Sequence, residues 1–102
     1  MVKAQLESPA QLGRQQRIEE FRQFIEANRK IKTEKQIIAL YSINNGMTVR
    51  LVKSYLQIFY DAGFYVKPGY LSKWKIVTLR EYEELSRREE QMKNEELDIG
   101  LD

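Results

Sequence analysis

The chain of 102 residues contains no cysteine and no histidine. These absences exclude disulfide bonds, thiol nucleophiles, imidazole bases, a histidine pH switch and the usual ligands of structural zinc. No apolar run approaches the length of about 18 residues that a membrane-spanning helix needs, and the amino terminus lacks the apolar stretch of a secretory signal. We therefore expect an intracellular protein, cytoplasmic or, if a virus encodes it, in the host cell.

The composition favours a single folded domain. Hydrophobic residues make up 42% of the chain, including four Phe, six Tyr and one Trp. That apolar content supports a core without a metal or crosslinks, and the length suits one domain. Many Lys, Glu, Arg, Ile and Tyr with no Cys is the bias expected of hyperthermophile proteins, so an archaeal or viral source is an expectation.

The formal net charge of +2 hides an uneven distribution. Residues 1–46 carry eight basic and five acidic groups, residues 47–79 carry five and one, and residues 80–102 carry four and nine. A basic middle and an acidic end within so short a chain indicate a surface that faces a polyanion.

Capping residues and apolar spacing predict two helices in the first half of the chain. Ser8-Pro9 opens the first, whose apolar residues recur at three- and four-residue spacing up to Arg29-Lys30. Thr33 followed by Gln36 has the spacing of a capping box and opens the second. Asn44-Asn45-Gly46 ends it, because these residues accept left-handed backbone angles.

A third helix follows the turn. Thr48 caps it, Ala62 is its last residue and Gly63 stops it. Its apolar stripe is predicted to face the core; Val52, Leu56 and Phe59 form it, and Leu51, Tyr55 and Ile58 widen it. The opposite arc presents four hydrogen-bonding side chains, two of them cationic and none acidic: Arg50, Lys53, Ser54 and Gln57.

From Phe64 the apolar period changes to two, which predicts a β-hairpin over residues 64–78 with its tip at 68–72. In the second strand, Trp74 and Ile76 face the core and the lysines face solvent. Phe64 is also expected in the core. Leu71 at the tip inserts into a minor groove, folds back onto the ribbon or meets another subunit, and these alternatives stay open.

A final helix is predicted from about Leu79, because Thr78 and Glu81 repeat the capping-box spacing. Leu85 and Met92 either dock its first turns on the core or pair across a twofold axis in a homodimer. The glutamate-rich last ten residues fray or contact a partner. In the dimer, apolar residues of the first helix share the interface: Leu12, Ile18 and Phe21.

The order helix, turn, helix and ribbon resembles the winged helix-turn-helix superfamily of DNA-binding domains. The turn is Asn44-Asn45-Gly46-Met47, and Thr48 occupies the place of the small polar residue that opens the recognition helix. Val52-Leu56-Phe59 occupies its inner stripe, and Gly63-Phe64 the glycine and the aromatic residue that follow it. The resemblance covers about residues 15–86.

The resemblance implies a fold that is mainly α with a small β-hairpin, in which a three-helix core carries a two-stranded wing and extra N- and C-terminal helical segments. The implied activity is sequence-specific binding of double-stranded DNA by a homodimeric transcriptional regulator, with helix 48–62 in the major groove and hairpin 64–78 as the wing. The expected segments are a flexible or partly helical arm at 1–13, the winged domain at 14–86 and an acidic helix extension and tail at 87–102.

The exposed arc of the third helix is the expected DNA-binding site. Arg50 lies near the amino-terminal end that enters the groove, and its guanidinium suits guanine. Gln57 suits adenine, Lys53 and Ser54 reach a base edge or a phosphate, and Thr48 caps the helix and contacts phosphate. Further phosphate contacts are expected from the wing residues Lys67, Tyr70, Lys73 and Lys75, and from Lys32 and Lys35 at the start of the second helix.

We expect no enzymatic activity, no metal, no cofactor and no small-molecule ligand, because the chain lacks a Gly-rich phosphate loop and a nucleophile with a base. Glutamates of the last helix could form an acid–base pair or a magnesium site, but exposed helix glutamates more often pair with arginines. The residues concerned are Glu81, Glu83, Glu84, Glu89 and Glu90, with Arg80, Arg87 and Arg88 as partners.

Three other functions remain open at this point. The chain could be a protein-interaction module whose acidic last helix is the contact, or it could associate with RNA or the ribosome. The resemblance is also compatible with a DNA-binding factor of replication or plasmid partition. Binding to duplex DNA separates the first two of these from a DNA-binding role.

Overall fold

The computed structural model describes the backbone of residues 9–101 and the side chains of residues 13–94, and this part of the chain folds into four helices. They are α1 (Pro9–Asn28), α2 (Glu34–Asn45), α3 (Val49–Asp61) and α4 (Leu79–Leu101). All four lie where the sequence predicts helices. Most of the expected N-terminal arm, the Ser8 cap and the Leu12 side chain lie outside the described residues.

The predicted caps of α2 and α3 are confirmed. The backbone N–H of Gln36 donates to the hydroxyl of Thr33 over 3.3 Å, and the N–H of Thr33 donates to the side-chain oxygen of Gln36 over 3.0 Å. Gly46 ends α2 in the left-handed conformation, at φ 63°. The hydroxyl of Thr48 accepts from the N–H of Leu51 over 3.2 Å and begins α3. Local chemistry therefore sets the bounds of both helices.

The core lies between α1, α2 and α3, and the loop that follows α3 closes it. Phe21 of α1 is fully buried, with its ring centroid 4.6 Å from Tyr41 and 6.0 Å from Phe59. Tyr65 of the loop packs edge-on against Phe59 at 5.9 Å. Phe21 is thus a core residue and does not take part in the dimer interface that the sequence suggests. The other buried apolar residues are Ile25, Ile37, Ile38, Val52, Tyr55, Leu56 and Ile76.

Residues 64–78 do not form the predicted hairpin. A single isolated antiparallel bridge joins Val66 to Val77, whose carbonyl accepts from the N–H of Val66 over 2.8 Å. Between residues 9 and 101 the structure contains no β-strand and no sheet. The expected α+β winged helix-turn-helix fold is therefore wrong, and the described fold is mainly α. Residues 64–78 form an irregular segment that we call the 64–78 loop.

The loop fails to form a strand because its amides bond locally. The N–H of Lys73 donates to the carbonyl of Tyr70 over 3.1 Å, and that of Trp74 donates to Gly69 over 3.0 Å. Lys73 and Trp74 have φ angles of 55° and 64°, in the left-handed region that a strand does not use. Consecutive turns therefore replace the ladder that a wing needs.

The turns also change which side chains are buried. Ile76 is fully buried, but Trp74, which the period of two places on the same face, is 59% exposed. Phe64 is 49% exposed, with the guanidinium of Arg22 lying 4.9 Å from its ring centroid. The expectation that Trp74 and Phe64 belong to the core is wrong. The side-chain alternation of a strand does not apply to left-handed turns.

The molecule is elongated, with principal extents of 71 × 32 × 19 Å. Its radius of gyration is 18.6 Å, whereas a compact domain of this length has about 13 Å. Helix α4, with 23 residues, is about 35 Å long at 1.5 Å per residue. Despite that length, no helix within residues 9–101 is apolar enough to cross a membrane.

Candidate nucleic-acid interface

Helix α3 has one buried face and one exposed polar face. Val52, Tyr55, Leu56 and Phe59 are buried in the core and hold the helix in place. On the opposite side, four of the predicted site residues are exposed to solvent: Arg50, Lys53, Ser54 and Gln57. The polar face is therefore accessible along the helix and is supported by close-packed residues behind it.

The amino-terminal end of α3 is also accessible. Thr48 and Val49 are both exposed, and the positive end of the helix dipole lies here. Only Gly46, Met47 and Thr48 separate α2 from α3. The hydroxyl of Ser42 donates to the carbonyl of Met47, which fixes this short turn. An anion can approach the free N–H groups at this end of α3.

Two polar side chains of α3 have partners within the helix. The hydroxyl of Ser54 donates to the carbonyl of Leu51 over 2.6 Å, and the amide of Gln57 donates to the carboxylate of Asp61 over 2.9 Å. Asp61 therefore adds an acid at the carboxyl end of the exposed face, where the sequence analysis expects none. The cationic part of the face is its amino-terminal half, which carries Arg50 and Lys53.

Lys53 and Lys67 line the same cleft, between α3 and the start of the 64–78 loop, with a volume of about 220 Å³. Glu34 and Tyr60 also line it, and the hydroxyl of Tyr60 donates to the Glu34 carboxylate over 2.5 Å. Burial, together with that hydrogen bond and the charge of Glu34, raises the pKa of Tyr60 far above its usual value. The hydroxyl of Tyr60 therefore keeps its proton and remains a hydrogen-bond donor. One carboxylate oxygen of Glu34 accepts this hydrogen bond in the cleft that the two lysines also line.

The other residues of the expected wing lie elsewhere. Lys73 and Lys75 line a cleft beside α4, together with Arg29 and Glu81. Tyr70 is 87% exposed on a groove that also borders α4. The structure thus brings Lys67 to the α3 site, whereas Lys73, Lys75 and Tyr70 do not share its cleft. At the start of α2, Lys35 is exposed and Lys32 half-buried.

Three acidic residues of α4 form ion pairs. Glu84 accepts from Arg88 over 3.0 Å, and Glu89 lies 3.6 Å from the ammonium of Lys93. Glu81 pairs with Arg29 over 2.6 Å. Among the residues that the structure describes, no three acidic side chains come close enough together to hold a metal ion.

Sequence reasoning missed three residues near these sites. Asp61 lies four positions after Gln57, so helical spacing would have placed it on the same face. Glu34 and Tyr60 are 26 positions apart and meet only through the packing of α2 against α3. No local pattern marks that pair.

In comparisons with known proteins, no family model, no curated protein and no solved structure matches the chain.

Proposed function

We propose that the protein binds double-stranded DNA sequence-specifically by placing α3 in the major groove. The observation that carries the proposal is the exposed polar face of α3, with Arg50 and Lys53 at its amino-terminal half and the core behind it. A major groove admits an α-helix, and each base pair presents a distinct set of donors and acceptors there. Function as a small transcriptional regulator, by occlusion or recruitment, follows from such binding.

Helices α2 and α3 and the three residues between them act as a helix-turn-helix unit. In such units the amino-terminal end of the second helix approaches the bases while the first helix crosses the backbone. Arg50 then lies nearest the base edges, where its guanidinium bonds bidentately to guanine. A phosphate binds at the amino end of α3, beside the exposed Thr48.

Lys53 and Lys67 supply affinity for the backbone. Both line one cleft next to α3, so a single phosphate strand can run past the two ammonium groups. This arrangement needs no β-wing. Gln57 reads adenine only after it releases Asp61, so we assign it a smaller share of the specificity than Arg50.

The first experiment selects bound duplexes from a random pool and measures the affinity for the selected site by fluorescence anisotropy over a salt series. Arg50→Ala with Lys53→Ala is expected to weaken binding by at least about tenfold, since one bidentate base contact contributes about 1–3 kcal/mol and a phosphate contact adds to it. Both side chains are exposed, so circular dichroism should show an unchanged fold.

A matched control removes two exposed cations away from α3, Arg14 of α1 and Lys30 of the turn that follows α1, by Arg14→Ala with Lys30→Ala. This control has the same net charge as the α3 variant and should lose far less affinity. Equal losses would show that binding depends on charge alone, and no duplex binding at low salt would refute the proposal. An RNA duplex of the same sequence serves as a further control, since its deep, narrow groove does not admit a helix.

A further inference from the structure

A groove between the 64–78 loop and α4 has apolar walls that the described chain leaves open. Its volume is about 650 Å³, and its apolar lining consists of Tyr70, Leu71, Trp74, Leu85 and Met92. Trp74 is 59% exposed and Met92 is 63% exposed. A contiguous exposed apolar surface of this kind, with charged residues at its edge, marks an interaction site.

The groove is held in a fixed position. The carbonyl of Trp74 accepts from the N–H of Glu34 over 2.9 Å, which ties the loop to the start of α2. On the other wall, Glu81 in the first turn of α4 pairs with Arg29. Both walls therefore belong to the folded domain, while α4 continues beyond them to Leu101.

The charge of this part of the chain changes from basic to acidic between Arg88 and Glu89, which both line the groove. Residues 73–88 carry five basic and three acidic groups, whereas residues 89–102 carry one basic and six acidic groups. Within α4, residues 79–88 carry three basic and three acidic groups, so the excess of positive charge comes from Lys73 and Lys75 of the loop, which lie beside this half of the helix. Two copies of α4 in antiparallel orientation place the acidic half of each against this half and the loop lysines of the other. A parallel pair places the two acidic halves together, which like-charge repulsion disfavours.

We propose that the groove is occupied by α4 of a second copy of this chain, in an antiparallel homodimer. A twofold axis near Arg88 and Glu89, at the middle of the groove, brings Leu85 level with Met92 of the second copy. The apolar side chains of one copy then cover those of the other, as an isologous interface requires. This places the dimer contact on α4 and the loop, since Phe21 of α1 is already used in the core.

The pairs that α4 forms within one chain do not prevent this association. Arg88 with Glu84 and Lys93 with Glu89 are exposed ion pairs, which contribute little and exchange readily. The dimer requires no DNA, so its test is independent of the proposed function. A protein that binds DNA as a monomer would refute the dimer alone. A dimer that does not bind DNA would refute the proposed function alone.

Sedimentation equilibrium on the full chain, without DNA, measures the association directly. We expect a concentration-dependent dimer that Trp74→Ala and Met92→Ala each weaken by about tenfold, as loss of an interface anchor does. Ile43→Ala is the matched control, because Ile43 is 76% exposed on α2, away from the groove. A chain that stays monomeric to about 100 µM overturns the proposal, as does equal weakening by the control.

The orientation is tested with spin labels, since the chain has no cysteine of its own. A label at Arg80→Cys lies about eight residues from the expected axis, so the two labels of an antiparallel dimer are about 25 Å apart. In a parallel dimer they are about 10 Å apart, the spacing of adjacent helices. The shorter distance, or a dimer that tightens as salt is added, would refute the antiparallel arrangement.

Discussion

The guanidinium of Arg29 donates to the carboxylate of Glu81 over 2.6 Å and so joins the end of α1 to the first turn of α4. Arg29 is 8% exposed and also donates to Glu26 over 2.5 Å. Burial alone would lower the pKa of Arg29, but the hydrogen bonds and charges of Glu26 and Glu81 outweigh it and raise the pKa. This pair fixes the direction in which α4 leaves the core.

The first prediction concerns that pair. Arg29→Ala should lower the free energy of unfolding by about 2 kcal/mol, because it leaves two carboxylates without a charged donor and removes a buried side chain. Urea denaturation followed by circular dichroism measures the change. Arg80→Ala, an exposed arginine of α4, should change stability by less than about 0.5 kcal/mol. Similar losses in both variants would contradict the assignment.

The second prediction concerns acid. Burial tends to raise the pKa of Glu81, but hydrogen bonds with Thr78 and the charge of Arg29 prevail and hold that pKa below the usual value of a glutamate. A lowered folded pKa stabilises the protein above the unfolded value, and this stabilisation is lost as the pH falls through the folded pKa. As the pH falls below about 4.5, the usual pKa of a glutamate, the urea concentration at the midpoint of unfolding should therefore decrease. The decrease should be less steep in Glu81→Gln. Parallel profiles for the two proteins would refute this.

The third prediction concerns alkali. Burial, with the charge of Glu26 and a 3.1 Å hydrogen bond to it, raises the pKa of Tyr65 to about 12. The neutral phenol is thus favoured in the folded state, so its stabilisation is complete below pH 10 and is lost between pH 10 and about 12. Tyr65→Phe should therefore make the free energy of unfolding depend less steeply on pH between pH 10 and about 12. Tyr70→Phe controls for the loss of a hydroxyl at an exposed position.

The fourth prediction concerns the backbone of the loop. Lys73 has a φ of 55°, which costs an ordinary residue about 1–2 kcal/mol and glycine almost nothing. Lys73→Gly should raise the free energy of unfolding by about 0.5–1 kcal/mol after the greater chain entropy of glycine is subtracted. Lys67→Gly, at a position outside the left-handed region, should destabilise by about as much. Thermal and urea unfolding of both variants measure the two effects, and destabilisation by Lys73→Gly would contradict the left-handed turn.

The fifth prediction separates phosphate contacts from base contacts in the proposed DNA complex. Lys53→Ala should reduce the slope of log affinity against log salt by about one, because one fewer counterion is released. Arg50→Ala should relax the base preference at one position of the selected site. Anisotropy titrations at several salt concentrations, on the selected duplex and its single-base variants, distinguish the two. Identical changes in both variants would contradict the assigned roles.

The bounds of α2 and the first residues of α3 and α4 could be predicted from the sequence because their signals are local. Thr33 with Gln36 and Thr78 with Glu81 form capping boxes over three residues, and the left-handed Gly46 ends α2. The apolar stripe of α3 follows the helical repeat, and Val52, Leu56 and Phe59 are buried as predicted. Leu51 and Ile58, which the sequence also places on that stripe, are instead 39% and 47% exposed. Each of these features involves atoms within one or two helical turns.

The conformation of the 64–78 loop could not be predicted from such local signals. Its alternating apolar residues fit a strand, but a strand needs a partner whose amides and carbonyls are free. Gly69 and Ser72 accept hydrogen bonds from Trp74 and Lys75 instead, and the segment turns where a ribbon would continue. Periodicity alone does not reveal that competition.

The sequence by itself determined the four helices, the caps at Thr33, Thr48 and Thr78 and the polar face of α3, because these depend on neighbours three or four residues away. Tertiary structure alone decided that Lys67 joins Lys53 and that Arg29 reaches Glu81 across 52 positions. Such contacts form between segments that are remote in the chain. Their geometry is set by how the core packs, which no local spacing encodes.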